Sequence, residues 1–311
     1  MTLAFRPCAI IPSHNHAQSV QGILAALREQ GLPVYIIDDG SDEATRVRLA
    51  ALADADGSVW VVRLEPNQGK GGAVRHGFQL AMAAGYTHAL QIDADGQHDI
   101  AALSGLLRLA QAEPDALITG VPVYDRSVPF GRAIGRYVTH VWVWIETLSL
   151  KITDSMCGFR VYPLADVAAI EAAGERIGQR MDFDTEIMVR LFWRDVRVVE
   201  YPVAVTYPPG NTSNFHLWRD NLLITAMHTR LFFGMLRRLP AILRLRTRRS
   251  SHWAWLAERG SYLGLQVWIS AYRVLGRRAS LTLMSPVVLY FYLTGVNSGA
   301  PHETSWRWFM P

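Results

Sequence analysis

The segment Asp93-Ala94-Asp95 carries the residue types that most directly indicate chemistry in this sequence. Two carboxylates at positions i and i+2, just beyond a predicted strand, can reach one hard cation together. Gln97 adds a neutral oxygen two residues later. Mg²⁺ or Mn²⁺ prefers such ligands and keeps open positions for phosphate oxygens. The alternative is an acidic turn in which an Asp caps the next helix.

Two other polar clusters follow apolar runs earlier in the chain. The sequence Asp38-Asp39-Gly40-Ser41 closes a predicted strand, and a carboxylate there can accept hydrogen bonds from a nucleobase or a ribose. The alternative is a turn that supplies the N-cap of the next helix. Lys70 lies among glycines at a helix start, in residues 67–72, where backbone N–H groups can approach a phosphate. A flexible surface loop is the alternative for that segment.

The elements that must position these clusters alternate between strand and helix. Short apolar runs predict strands at 8–12, 34–37, 59–64, 89–92 and 116–120, and helical periodicity predicts helices at 18–30, 42–54, 73–84 and 99–111. Unbroken apolar strands between helices indicate an α/β fold with a mainly parallel sheet that is buried on both faces. The polar clusters fall at the carboxyl ends of the strands, where such sheets bind ligands.

The second half of the sequence is less regular. It predicts helices at 132–152 and 182–193, a strand at 196–205, and loops at 153–160 and 207–215. A helical pattern from 217 to 245 is predicted to break at Pro240.

Charge is distributed unevenly along the 311 residues. Residues 1–216 contain 18 Lys and Arg against 24 Asp and Glu, whereas residues 217–311 contain 13 Arg and three acids. An acidic body with a basic, aromatic tail suits contact with an anionic membrane surface better than nucleic-acid binding. Two cysteines cannot form a disulfide framework. We see no signal peptide, and the longest late apolar run, 281–296, is shorter than the roughly 20 residues that span a bilayer.

Five motifs follow one another along the chain. They are PSHNH at 12–16, IIDDGSDEAT at 36–45, NQGKGGAVRHG at 67–77, QIDADGQHD at 91–99 and DSMCGFRVY at 154–162. Taken together and in this order, they resemble the motifs of family-2 glycosyltransferases with the GT-A fold, and in particular of the dolichol- or polyprenyl-phosphate sugar synthases. The resemblance covers about residues 6–216.

The resemblance implies a metal-dependent, inverting enzyme that uses a UDP- or GDP-sugar donor. His16 stands where the family usually has an acidic residue. The metal ligands would be Asp93, Asp95 and Gln97. The residues implied to bind the nucleotide-sugar are Pro12, Asn15, Asp38, Asp39, Asn67, Lys70 and Asp93.

The resemblance also implies a lipid acceptor whose phosphate is held by arginines. The candidates are Arg126, Arg132 and Arg136. A phosphate acceptor is already an anion and needs no general base, whereas a hydroxyl acceptor would need one, with Asp154 as the candidate. The alternative for Asp154 is a helix cap or a salt bridge to Arg160. We expect Glu186 to be structural.

The tail predicts two further segments beyond the 1–216 domain. Residues 217–250 combine apolar residues with dense arginine, as in a helix lying at the inner face of the bacterial cytoplasmic membrane; an ordinary core helix with a basic linker is the alternative. Residues 251–311 resemble the truncated, helical start of a lipid-A-type acyltransferase without its HxxxxD motif. A separate acyltransferase is therefore a candidate partner. This motivates an alternative function, a non-catalytic GT-A-like module tethered to the membrane beside that enzyme.

Overall fold

A computed structural model describes residues 4–54, 57–124, 130–206 and 216–249. The chain divides into two compact units, Met1–Leu245 and Arg246–Pro311. Apart from the last turn of the final helix, the described residues belong to the first unit. The segment predicted to resemble an acyltransferase lies outside the described residues, and so do the loop 207–215 and Arg126.

Seven strands and eight α-helices form the described part of the chain. The strands are β1 (Pro7–Ser13), β2 (Val34–Asp38), β3 (Val59–Arg63), β4 (His88–Gln91), β5 (Ala116–Tyr124), β6 (Arg160–Pro163) and β7 (Arg197–Val205). The helices are α1 (Ala17–Glu29), α2 (Glu43–Ala50), α3 (Lys70–Ala83), α4 (Leu103–Ala112), α5 (Phe130–Thr147), α6 (Leu164–Ala172), α7 (Phe183–Trp193) and α8 (Leu217–Arg249).

The strands form one sheet in the order β3-β2-β1-β4-β6-β5-β7. Strands β1, β2, β3 and β4 pair in parallel, and so do β5 and β7, whereas β6 is antiparallel to both of its neighbours. The prediction of a mainly parallel α/β sheet is confirmed. Strand β6 and helix α6 were missed, because four residues of strand carry too little pattern to separate from the preceding loop.

The core lies in two layers, one on each face of the sheet. Ile10 of β1 belongs to the layer that contains Phe78 of α3 and Phe183 of α7. Its neighbour Ile11 belongs to the opposite layer, with Leu24 of α1. Successive strand residues point to opposite faces, so the unbroken apolar strands serve both layers at once. Burial on both faces leaves the strand ends as the place for polar side chains.

Helix α8 joins the same core as the sheet. Met227, Leu231 and Met235 are buried there, and so is Ile242, two residues beyond Pro240. The predicted break at Pro240 was wrong, because a single helix runs through this residue. A proline removes one backbone hydrogen bond, and the buried residues on either side hold the helix in place. Among the described residues, no helix combines the length and hydropathy needed to cross a membrane.

Candidate functional site

The carboxyl ends of β1, β2 and β4 form one rim of the sheet, which we call the carboxyl edge. Asp39 follows β2 and is 3% exposed. Its two carboxylate oxygens accept hydrogen bonds from the backbone N–H groups of Gln68, at 2.6 Å, and Gly69, at 2.8 Å. Gly69 has φ +86°, and a Cβ there would lie 2.6 Å from the carbonyl oxygen of Gln179. Asp39 therefore fixes the loop that leads into Lys70.

Asp38 lies one residue earlier, and its carboxylate contacts different residues from those of Asp39. One carboxylate oxygen pairs with the guanidinium of Arg63 at 2.6 Å, and the other accepts from the backbone N–H of Ser41 at 3.0 Å. The Asp38 side chain is 2% exposed. Its contacts favour a role in shaping the turn after β2. The predicted N-cap of α2 is made by Asp42, whose carboxylate accepts from the N–H of Thr45 at 2.7 Å.

The remaining residues predicted at the nucleotide site lie along the same edge. The Asn67 side chain donates to the carbonyl oxygen of Asp39 at 2.7 Å. Asn15, with φ +63°, accepts from the N–H of Asp42 at 2.9 Å through its side chain. Pro12 is buried inside β1, in register with Ile37 of β2. These contacts tie the loops after β1, β2 and β3 into one surface.

Lys70, the first residue of α3, bridges two carboxylates. Its ammonium lies 2.8 Å from Asp93 Oδ2 and 2.6 Å from Asp184 Oδ2. Burial alone would lower the pKa of Lys70, but the two carboxylates outweigh it and raise the pKa above its ordinary value. Asp184, at the start of α7, was not among the predicted site residues. Its Oδ1 accepts from the side-chain amide of Gln91 at 2.9 Å.

The second oxygen of Asp93 is buried and finds no hydrogen-bond partner among the described residues. The backbone of Gly158 lies flat against this carboxylate, since a Cβ there would lie 2.2 Å from Asp93 Oδ2. Asp95, two residues on, accepts from the N–H of Gln97 at 3.0 Å. Burial and then the charge of Asp93 raise the pKa of Asp95. An unpartnered carboxylate oxygen beside a second carboxylate fits a hard divalent cation.

The described residues do not supply a complete metal cage. Among them, no group of three or more His, Cys, Asp or Glu side chains is placed to hold a metal ion. Two carboxylates and the Gln97 amide would leave coordination positions for a phosphate ligand and water, as Mg²⁺ requires.

His98 ends the segment and was not predicted as a site residue. It pairs in an isolated bridge with Val205 of β7, while Asp99 N–H donates to the carbonyl oxygen of Ala204 at 3.0 Å. Burial lowers the pKa of the imidazole despite the charges of Asp93 and Asp95. The segment from Asp93 to His98 is thus anchored to a strand at the far edge of the sheet.

Asp154, the candidate base, is fully engaged. Its Oδ1 accepts from the backbone N–H groups of Met156 and Cys157, each at 2.8 Å. Its Oδ2 is paired with the Arg136 guanidinium, and His140 Nε2 lies 3.6 Å away. The ion pair expected with Arg160 is therefore made with Arg136 instead. The side chain of Arg132 lies outside the described residues.

Arg160 is fully buried beneath the site and was missed as a site residue. Its guanidinium donates to the carbonyl oxygens of Asp184, at 2.6 Å, and Ser155, at 2.7 Å. Glu186 is also fully buried, and it accepts from the N–H of Gly178 and from the guanidinium of Arg230, both at 2.8 Å. These contacts agree with the structural role expected for Glu186.

Two bacterial proteins of named activity are similar in sequence to this chain. An undecaprenyl-phosphate mannosyltransferase of Micrococcus luteus is 29% identical over 214 residues, which cover 64% of this chain and 83% of that protein. A polyprenol monophosphomannose synthase of Mycolicibacterium smegmatis is 27% identical over 65% of this chain and 77% of its own.

The fold is that of solved GT-A glycosyltransferases. Glucosyl-3-phosphoglycerate synthase of Mycobacterium tuberculosis, solved with Mn²⁺ and uridine-diphosphate-glucose, superposes with a TM-score of 0.54 at 14% identity, over 76% of this chain and 79% of that chain. Residues 8–164 match the family described as glycosyl transferase family 2. The chain therefore belongs to glycosyltransferase family 2.

Proposed function

We propose that this glycosyltransferase moves a sugar from a UDP- or GDP-sugar to a lipid acceptor, a polyprenyl phosphate or an envelope glycolipid, with inversion at the anomeric carbon. The observation that carries the proposal is the convergence of Lys70, Asp93 and Asp95 at the carboxyl edge, beside a loop fixed by Asp39. The names of the two bacterial relatives support a polyprenyl phosphate acceptor.

The donor would lie along the carboxyl edge. The nucleoside would bind beside the contact between the Asp39 carboxylate and the backbone of Gly69, and Lys70 would face its diphosphate. Asp93, Asp95 and Gln97 would hold Mg²⁺ or Mn²⁺, which when bound neutralises charge on the diphosphate. Mn²⁺ with UDP-glucose in a protein of the same fold supports this cofactor class.

The acceptor would approach from the side of α5. A phosphate oxygen would form the new bond to the anomeric carbon while the bond to the donor diphosphate breaks, and the electron pair would leave with the nucleoside diphosphate. This step needs no proton transfer from the acceptor. Asp154, saturated by two amides and Arg136, is poorly suited to be a base, which favours the phosphate acceptor. Arg126, Arg132 and Arg136 stay our candidates for its phosphate.

We infer that helices α5 and α8 rest on the inner face of a bacterial cytoplasmic membrane. Trp218 is 83% exposed and Leu222, one turn later, is 69% exposed. On α5, Tyr137 and Val138 are about half exposed. Exposed arginines on α8, among them Arg219 and Arg237, suit anionic lipid headgroups. Such a position would bring the enzyme to a lipid acceptor.

The test is nucleoside diphosphate release from UDP- and GDP-sugars with Mn²⁺ or Mg²⁺ and undecaprenyl phosphate in vesicles. We expect release to need both metal and lipid, and to fall by about 100-fold or more in Asp95→Asn, because one metal-binding carboxylate is lost. The exposed Asp115→Asn, remote from the carboxyl edge, is the matched control. Membrane binding without release by the wild-type protein would instead favour the non-catalytic module.

A further inference from the structure

Lys70 is held by two carboxylates that differ in burial and in the number of their other partners. Asp184 is the more buried, with 6% of its side chain exposed against 21% for Asp93. Asp184 is also fixed from behind, since its Oδ1 accepts from Gln91 and its carbonyl oxygen accepts from Arg160. Asp93 has only one oxygen engaged by Lys70 and the other without a partner. Asp184 is therefore the fixed partner of the ammonium, and Asp93 is the exchangeable one.

The backbone around Lys70 is closely packed, so we expect a change of partner to occur through the side chain. A Cβ at Gly71 would lie 2.5 Å from Phe183 Cβ, and the N–H of Gly72 donates to the carbonyl oxygen of Gln179 at 2.9 Å. The start of α3 is thereby clamped to the segment before α7. A lysine side chain has four carbons and rotatable donors, so its ammonium can shift while it stays in contact with Asp184.

A divalent ion at the proposed metal site would compete with the Lys70 ammonium for the carboxylate of Asp93. A divalent ion held by Asp93 and Asp95 would share Asp93 with the Lys70 ammonium, and like charges a few ångströms apart repel strongly in a partly buried site. A nucleoside diphosphate removes the conflict, because its negative charge can be shared by both cations. Binding of the diphosphate and of the metal should then favour each other, which is a coupling between two ligands.

We propose that Lys70 is a resident cation that couples metal binding to donor binding. Without donor, its ammonium neutralises Asp93 and opposes the divalent ion. With donor, it leaves Asp93 for the diphosphate and pivots on Asp184. This inference rests on the proposed function, and it assigns Asp184 a positioning role that acts through Lys70. Its consequence is that the enzyme takes up the metal together with its nucleotide.

The experiment measures Mn²⁺ affinity by calorimetry on the full chain, with no nucleotide and then with saturating UDP or GDP. In wild type we expect weak binding of Mn²⁺ alone and at least about 10-fold tighter binding with one of the nucleotides. In Lys70→Met, Mn²⁺ alone should bind about 5-fold tighter than in wild type, and the nucleotide should add little. In Asp184→Asn, Mn²⁺ alone should bind more weakly, because the ammonium then rests on Asp93. Lys151→Met, which changes the other lysine of the chain, should match wild type.

Opposite shifts in the two variants cannot arise from damage to the fold, which would weaken Mn²⁺ binding in both. If Lys70→Met fails to fold, the test rests on Asp184→Asn. Unchanged or tighter binding of Mn²⁺ by Asp184→Asn overturns the proposal. Unchanged or weaker Mn²⁺ binding by folded Lys70→Met also overturns the proposal. The same holds if no variant binds Mn²⁺ with either nucleotide. The titration with Mn²⁺ alone needs no sugar or lipid. If the transfer assay fails but the Mn²⁺ affinities shift as expected, the proposed function is wrong. The competition between Lys70 and the metal is then still supported.

Discussion

The carboxyl edge and the contact between α5, α7 and α8 differ in how a central buried carboxylate is held. At the edge, Asp39 is held by two backbone N–H groups. In the contact between the helices, which we call the helix seam, side chains pair with side chains: Glu186 with Arg190 and Arg230, and Glu146 with His228. Backbone amides do not titrate, and every substitution except proline leaves them in place, so we expect the loop held by Asp39 to be more robust than the seam.

The seam also contains buried polar atoms without partners. The second oxygen of Glu146, Nε2 of His228 and Nε of Arg230 are buried and find no hydrogen bond among the described residues. Such groups carry an unrecovered cost of desolvation. The seam lies under the exposed apolar side chains of α5 and α8, for Trp142 of α5 stacks on His228. We infer that it is the adjustable part of the molecule, placed where we propose a membrane to act.

Removing Glu186 should give the largest change in stability. In Glu186→Ala, the guanidinium groups of Arg190 and Arg230 lose the buried carboxylate that faces them, which costs about 4 kcal/mol of unfolding free energy. Denaturant unfolding measures it. The exposed pair of Glu43 with Arg46 supplies the control, Glu43→Ala, which we expect to leave stability unchanged. Equal effects of the two substitutions would contradict the difference drawn between buried and exposed pairs.

A methyl group at residue 158 should lower the activity without unfolding the protein. In Gly158→Ala the new Cβ would overlap the Asp93 carboxylate and displace it from the proposed metal site. We expect nucleoside diphosphate release to fall about 1,000-fold, or about 4 kcal/mol of transition-state stabilisation. Gly22→Ala is the control and should keep full activity. A Cβ at Gly22 of α1 would meet no atom within 4 Å apart from its chain neighbours and its own helix backbone. Wild-type activity in Gly158→Ala would remove Asp93 from the proposed metal site.

The sequence predicted the edge well and the seam poorly, for a physical reason. Parallel strands carry their carboxyl ends to one rim, so Asp39, Lys70 and Asp93 could be placed together from local patterns. The partner of Asp184 at Gln91 lies 93 residues away, and no periodicity encodes such a distance. Asp154 shows the same limit. Arg160, the partner considered from the sequence, turns into the buried core, and Arg136 of α5 pairs with Asp154 instead.

The unfolding free energy should depend on pH through Glu146 of the seam. Burial raises the pKa of Glu146 from an ordinary 4.5 to about 7, against the opposing effect of His228. The folded state then holds a proton that the unfolded state releases, so this contribution is complete below pH 4.5 and is lost as the pH rises to about 7. We expect a loss of about 3 kcal/mol in unfolding free energy over that interval.

Glu146→Gln isolates this effect. The glutamine cannot ionise, so the variant should lack that part of the pH dependence and be more stable than wild type at pH values above the raised pKa. Unfolding by denaturant at several pH values measures it, with the exposed Glu29→Gln as the control. The prediction fails if wild type and Glu146→Gln show parallel pH profiles, in which case His228 keeps Glu146 ionised in the folded protein.

The smallest effect is expected on the outer face of the seam. Trp218 and Leu222 contribute little to the core, because most of their surface is exposed. In Trp218→Ser with Leu222→Ser, binding to vesicles of anionic lipid should weaken about 10-fold, while unfolding free energy and Mn²⁺ affinity stay unchanged. Val47→Ser tests the specificity of this loss, since Val47 is 56% exposed but lies on α2. Sedimentation with vesicles separates the outcomes: equal binding of all three proteins would mean that this face of α8 does not meet the lipid. A selective loss would make α8 a helix that serves the core on one side and the membrane on the other.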